Sequence, residues 1–354
     1  VELLLGGAVV AGREMRDNGQ RLNRLAFDGT VCDAVRVTVR ATHGCPEARI
    51  FEIRVYGGTA MKYGIYYAYW EKEWGGNFVP YTEKCARLGF DILEVACGAF
   101  DREDDRFFRE LAAAAKANGL RLTGGYGPRK GHDLAGTDPA QVEAAFRFYA
   151  DMFRKMELAG IDRLGGALYS YWPAQCTPET DKAADTDRSV ARMQRLADLA
   201  ADHGITLCME ALNRFEGYMI NTADECLAYV RAVNRPNVKV MLDTFHMNIE
   251  EDSLTDAIRK SGPLLGHFHV GEANRRCPGP NGRFDWAAIG RALRSIGYAG
   301  GVVMEPFVRM GGQVSRDVSL WRDLSGGASN EQLDQDAATS LTWLRSVMEG
   351  KDTP

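Results

Sequence analysis

Four short segments end in side chains able to bind a cation: Cys208-Met-Glu210, Met241-Leu-Asp243, His267-Phe-His269 and Val303-Met-Glu305. Each follows an apolar run that reads as a buried strand, so Glu210, Asp243, His269 and Glu305 are expected at strand C-terminal ends. In a parallel barrel those ends converge on one face. Three carboxylates and one imidazole, with no thiolate, favour Mn²⁺, Co²⁺ or Mg²⁺ over structural zinc. Such ions take about six ligands, which leaves roughly two positions for water or a bidentate oxygen ligand such as an α-hydroxy ketone. A lone acid after a strand is more often a helix N-cap or a solvated loop residue. Four of them, each directly after its strand, outweigh that reading. His267 and His269 share one strand face because side chains alternate with period two. His269 is nearer the C-terminal end and is assigned as the ligand. His267 is expected one layer deeper, as a hydrogen-bonded barrel residue.

Polar residues recur just past these ends. Glu216 lies six residues beyond Glu210, His246 three beyond Asp243, and Arg275 six beyond His269. Loop salt bridges and caps would explain any one of them equally well. Aromatic residues are dense near the same face: Tyr66, Tyr67, Tyr69, Trp70, Trp74, Tyr169, Tyr171, Trp172 and Phe307. Most aromatics in a barrel are core, but a few at the mouth could stack on a sugar.

These residues require a scaffold that delivers strand ends to one point. From Met61 the pattern alternates strand and helix, with strands expected at 62–67, 91–96, 120–124, 161–167, 205–210, 238–243, 264–269 and 301–305. Helix starts are marked by Asp138-Pro139 with Gln141, by the capping box Thr222-Ala-Asp-Glu225, and by Ser253-Leu-Thr-Asp256. Ala-rich stretches at 111–117 and 196–201 suit an outer ring. Eight such units predict an α/β fold, a (β/α)8 TIM barrel. An open doubly wound sheet usually carries a Gly-rich loop after its first strand. Here that strand runs into the bulky Tyr66-Tyr-Ala-Tyr-Trp.

Residues 1–60 have a different texture. Val35-Arg-Val-Thr-Val-Arg and Ile50-Phe-Glu-Ile-Arg-Val-Tyr both alternate, with the turn signal Thr42-His-Gly-Cys-Pro between them. That predicts a β-hairpin in a short N-terminal extension, with Gly57-Gly58 as linker and residues 61–354 as the catalytic domain. The start, Val1-Glu-Leu-Leu-Leu, is apolar but lacks the basic region of a signal peptide.

The chain has 354 residues and a net charge of −5, which argues against nucleic acid as a partner. Its eight cysteines form no Cys-x-x-Cys pair, and a disulfide framework is not expected in so large a domain. A reducing, cytoplasmic location is therefore expected. No apolar run approaches the ~20 residues needed to span a bilayer.

Six stretches carry a family resemblance: Met61-Lys-Tyr-Gly-Ile-Tyr-Tyr-Ala-Tyr-Trp, Gly165-Gly-Ala-Leu-Tyr-Ser-Tyr-Trp-Pro, Leu212-Asn-Arg-Phe-Glu, Val240-Met-Leu-Asp-Thr-Phe-His-Met-Asn, Gly266-His-Phe-His-Val-Gly-Glu-Ala-Asn-Arg and Val303-Met-Glu-Pro-Phe. In order and content they resemble the ketose 3-epimerases, over Met61 to about Met348. The resemblance implies a xylose-isomerase-like TIM barrel with one Mn²⁺ (or Co²⁺, Mg²⁺), held by Glu210, Asp243, His269 and Glu305. It implies epimerisation of free ketoses at C3, of the D-fructose/D-psicose or D-tagatose/D-sorbose type. The reaction would pass through a cis-enediolate, with Glu210 and Glu305 as the acid/base pair. Glu216, His246 and Arg275 would contact the substrate's O1, O2 and O3, and Tyr66, Trp172 and Phe307 would form an apolar wall. A homodimer or homotetramer is also implied. The alternatives are another metal-dependent sugar isomerase, an inosose dehydratase-type lyase on the same barrel, or an endonuclease IV-like phosphodiesterase. The last needs a multi-metal cluster and many histidines, and the chain has six. Family members begin near Met61, so residues 1–60 are extra. Their stretch 34–57 resembles the last strands of a galactose-binding-like β-sandwich.

Overall fold

The structure, a computed structural model, describes residues 1–15, 25, 27, 32, 34–42, 47 and 61–350. The chain divides into two compact units, Val1–Thr59 and Ala60–Pro354.

In the first unit, β1 (Glu2–Leu5), β2 (Ala8–Gly12) and β3 (Ala34–Arg36) form an antiparallel sheet in the order β2-β1-β3. Leu5 pairs with Ala8, leaving Gly6 and Gly7 as a two-residue turn with φ of +58° and +84°. Two consecutive left-handed residues match the right-handed twist of the strands, and glycine takes that conformation at little steric cost. The apolar start is thus the first strand of a hairpin and the central strand of the sheet. The expected hairpin lay further on. Val35 and Arg36 are in a strand, but one that pairs with Glu2–Leu4. The segment 50–56 lies outside the described residues.

The second unit is a closed barrel of eight parallel strands: β4 (Lys62–Tyr66), β5 (Ile92–Ala96), β6 (Arg121–Gly125), β7 (Arg163–Gly166), β8 (Thr206–Glu210), β9 (Val238–Asp243), β10 (Leu265–Val270) and β11 (Gly301–Met304). All eight fall on the predicted segments. Strands covered on both faces read as continuous apolar runs, and β5, β10 and β11 are buried along their whole length. The surrounding helices are α1 (Val79–Leu88), α2 (Asp105–Ala117), α3 (Pro139–Ala159), α4 (Lys182–Asp202), α5 (Ala223–Val233), α6 (Thr244–Glu250), α7 (Leu254–Ser261), α8 (Trp286–Ser295), α9 (Gly312–Asp317) and α10 (Asn330–Glu349). In α4 the buried residues Met193, Leu196, Ala197 and Ala200 recur at i, i+3, i+4 and i+7, the stripe of a helix laid on a sheet.

Caps fix where the helices begin. Asp138 accepts from the Ala140 amide at 2.8 Å with Pro139 in the first turn of α3. In α5 both halves of the capping box form, through Thr222 and Glu225. Ser253 caps α7 by accepting from the Asp256 amide at 3.3 Å. One glycine is indispensable to the ring. Gly166 closes β7 with φ of +127°, and any Cβ there would run into the Tyr126 carbonyl. No helix among the described residues is long and apolar enough to cross a membrane.

Candidate active site

Strands β8 to β11 deliver the four predicted ligands to one point. Glu210 ends β8, Asp243 ends β9, His269 lies near the end of β10, and Glu305 follows β11 directly. Parallel register sets His269 beside Asp243 and Val303. One donor atom from each of the four lies within 4.8 Å of all the others. Glu210 Oε1, Asp243 Oδ2 and His269 Nδ1 are buried and have no hydrogen-bond partner. Buried polar atoms are almost always paired. Unpaired acceptors gathered this closely fit a bound divalent cation, and the oxygen-rich donor set suits a hard or borderline ion.

Asp243 resolves the ambiguity between cap and ligand. Its Oδ1 accepts from the Phe245 amide at 2.9 Å and caps α6, while Oδ2 faces the cluster. One oxygen of the carboxylate caps the helix, and the cap fixes the direction of the other, which faces the cluster.

The electrostatics point the same way. Burial, reinforced by Glu305, pushes the Glu210 carboxyl well above the usual range. Burial likewise raises Asp243, with Glu305 adding to it. His269 is raised well above an ordinary imidazole, because Glu94 and Glu305 overcome the burial that opposes its charge. Without compensating positive charge these groups hold protons, so proton and cation compete for the same atoms.

A second tier of polar groups surrounds the four. Arg275 reaches Glu216 Oε1 at 2.8 Å and Glu305 Oε2 at 3.1 Å, and its guanidinium lies 3.8 Å from the Phe245 ring centroid. Arg275 has φ of +64°, rare for a non-glycine residue. Its loop is tied down by the buried Glu272, which accepts from the amides of Gly279 and Arg283 and from Trp286 Nε1 at 3.0–3.2 Å. Glu216 also accepts from Trp172 Nε1 at 3.0 Å.

His246 has a fixed tautomer. Its Nδ1 accepts from the Asn213 backbone amide at 3.1 Å, and a backbone N–H can only donate. The ring proton is therefore on Nε2, which lies 3.8 Å from Glu210 Oε1 and 4.0 Å from Asp243 Oδ2. Burial lowers the His246 pKa and keeps the ring neutral. The site thus presents a neutral N–H donor and a guanidinium beside clustered carboxylates.

A sequence profile described as xylose isomerase-like TIM barrel matches residues 82–347, well over half of the chain. The chain belongs to that family. Within it, a D-psicose 3-epimerase of Agrobacterium fabrum is 51% identical over 290 residues, spanning 82% of this chain and 100% of the relative. A D-psicose 3-epimerase of Ruminiclostridium cellulolyticum is 50% identical over 289 residues, spanning 82% and 98%. The crystal structure of D-psicose 3-epimerase with D-tagatose from Clostridium cellulolyticum H10 superposes with a TM-score of 0.80 at 50% identity, covering 81% of this chain and 99% of that one. The chain is an isomerase of the ketose 3-epimerase group.

In this epimerase a cavity of about 310 Å³ opens over the cluster. Glu210, Glu216, His246, His269, Arg275 and Glu305 line it, as do Tyr66, Trp172 and Phe307. Tyr66 and Phe307 meet edge to face at 6.2 Å, and Trp74 lies 6.1–6.2 Å from Phe307, Trp172 and Tyr66. Trp74 is thus part of the wall, whereas Tyr67, Tyr69, Trp70 and Tyr169 are packed into the core. His267 is fully buried beneath the site and hydrogen-bonded, one layer deeper than His269. Two residues were not anticipated. Asn213 ties His246 to Glu216, and Glu94 lies under His269.

Proposed function

We propose that the chain interconverts free 2-ketoses and their C3 epimers. D-Fructose/D-psicose is the first pair to test and D-tagatose/D-sorbose the second. The observation that carries this reading is the pairing of Glu210 and Glu305 across the cation donor set. Strands β8 and β11 are three places apart in a ring of eight, so the two carboxylates approach from different walls. The names of the relatives support the substrate class.

The C3–H of a 2-ketose is acidified by the adjacent carbonyl. Glu210, Asp243, His269 and Glu305 would hold a divalent cation, which would supply Lewis acidity toward the ketose oxygens. One glutamate removes the C3 proton, and the other returns a proton to the opposite face of the planar intermediate. Their roles exchange in the reverse reaction. Without a cation, burial and the Glu305 charge push the Glu210 carboxyl well above the usual range. His246 donates from Nε2 and Arg275 from its guanidinium to substrate oxygens, and both stabilise negative charge developing at the enediolate. Glu216, oriented by Trp172, Asn213 and Arg275, accepts from a substrate hydroxyl. The aromatic wall packs the apolar face of the sugar and excludes water.

The test is a ketohexose panel assayed with chelator-stripped protein, then after adding Mn²⁺ or Co²⁺. Restored conversion of D-fructose to D-psicose, with solvent deuterium entering at C3, is the expected outcome. A reloaded enzyme that epimerises no ketohexose at C3 would overturn the reading.

A further inference from the structure

Glu94 sits in the middle of β5, a strand that supplies none of the four cation donors, and it is 1% exposed. Its Oε1 is 2.6 Å from His269 Nε2, and its Oε2 is 2.7 Å from His267 Nε2. The Thr123 hydroxyl, on the neighbouring strand in register with Glu94, donates to Oε2 at 2.7 Å. A buried carboxylate at these distances takes the Nε2–H of each imidazole. For His269 that leaves the lone pair on Nδ1, the atom with no hydrogen-bond partner that faces Glu210, Asp243 and Glu305.

Glu94, His267 and His269 also gather three donor atoms closely enough to suggest a second cation site. The distances argue against it. Donors sharing one cation at ~2.0–2.2 Å stand roughly 3 Å or more apart, whereas these are in direct hydrogen-bond contact.

We infer that Glu94 is the positioning residue for the cation site: it fixes the tautomer and ring orientation of His269 so that Nδ1, rather than Nε2, is the ligand atom. This rests on the cation-site reading above. An imidazole bound to a cation at one nitrogen needs its other nitrogen anchored, and loss of such an anchor weakens metal binding by about 10–100-fold. Thr123 and His267 hold Glu94 in turn.

The experiment titrates Mn²⁺, and separately Co²⁺, into chelator-stripped full-length protein without substrate, following free Mn²⁺ by electron paramagnetic resonance and Co²⁺ by calorimetry. Glu94→Gln keeps the shape and is expected to raise Kd for both ions about 10-fold or more. Thr123→Val removes one donor to Glu94 and is expected to raise Kd about threefold, a mild loss of the anchor. If the unsubstituted protein binds neither ion, the cation-site reading fails and this inference fails with it. If it binds and a folded Glu94→Gln binds equally well, the inference alone is overturned. Should Glu94→Gln not fold, Thr123→Val decides, and an unchanged Kd there overturns the inference.

Discussion

Two layers of acid and imidazole lie one above the other inside the same barrel, and they behave in opposite ways. In the upper layer Glu210, Asp243 and His269 each leave a buried donor atom without a partner. In the lower layer both oxygens of Glu94 are taken, by His267, His269 and Thr123 at 2.6–2.7 Å. The charge states differ accordingly. Burial drives Glu210 upward, while at Glu94 burial is overcome by His269 and His267, which hold it well below the usual carboxylate range. Residue types alone do not separate a ligand cluster from a structural network. The carboxylate oxygens do: both of Glu94 are taken, whereas Glu210 Oε1 and Asp243 Oδ2 have no hydrogen-bond partner. His269 belongs to both layers, with one ring nitrogen in each.

The sharpest way to break this comparison is to make the same isosteric change in each layer. Glu210→Gln or Glu305→Gln removes both a proposed cation ligand and a proposed proton-transfer group. Each is expected to lower kcat by about 10⁴-fold or more, since general acid–base catalysis alone supplies up to that factor. In chelator, Glu210→Gln is expected to leave Tm unchanged or higher, because a neutral amide relieves a buried, repelled carboxylate. Glu94→Gln breaks a network in which both carboxylate oxygens are taken and is expected to lower Tm under the same conditions. Calorimetry on the metal-free variants decides. Shifts of the same sign in both would erase the distinction between the layers.

A smaller effect is expected at Asn213, which joins the upper layer to the polar groups around it. Its backbone amide and side chain both meet His246 Nδ1, and its side chain also donates to Glu216 Oε1 at 3.1 Å. Asn213→Ala keeps the backbone contact, so His246 retains its tautomer, but Glu216 loses a donor. Losing a buried hydrogen bond costs about 1–3 kcal/mol. Steady-state kinetics should show kcat/KM reduced about 10–100-fold with metal affinity unchanged. A matching loss of Mn²⁺ affinity would put Asn213 in the cation site instead.

The convergence of the upper layer was legible in the sequence because its four residues obey a local rule: each stands at the end of an apolar strand, and the barrel does the rest. Even the depth of His267 follows from period-two spacing. The lower layer obeys no local rule. Glu94 is a single acid in the apolar run Ile92-Leu-Glu-Val-Ala, and its imidazole partners lie 173 and 175 residues away. An acid inside a buried strand must find partners or a cation, so the clue was present, but not the identity of the partners. Asn213 was visible within Leu212-Asn-Arg-Phe-Glu without a role, because its contact to His246 spans 33 residues, from a loop to helix α6. In the N-terminal unit the Gly6-Gly7 turn was readable as a hairpin signal. The apolar flanks drew attention to targeting rather than to pairing.

The smallest expected effect is a pH slope, and it tests whether the upper layer shares protons when no cation is bound. His269, Glu210 and Asp243 are all raised above their ordinary values. Above pH ~6.5, the reference value of an imidazole, the native state then holds protons that the unfolded chain has released. Stability therefore falls as pH rises. His246, His267 and His132 are lowered instead, chiefly by burial. Their contribution is lost as pH falls below ~6.5 and leaves the window above it clear. From pH 6.5 to 8, Tm in chelator is expected to drop by about 1–2 degrees, the response to roughly 1 kcal/mol in a chain of this size. Saturating Mn²⁺ should raise Tm, and by more at pH 8 than at pH 6.5, because its ligands bind it deprotonated. A Tm in chelator that is flat or rises over this range would mean that Glu210, Asp243 and His269 do not hold extra protons, and the contrast with Glu94 below would lose its electrostatic basis.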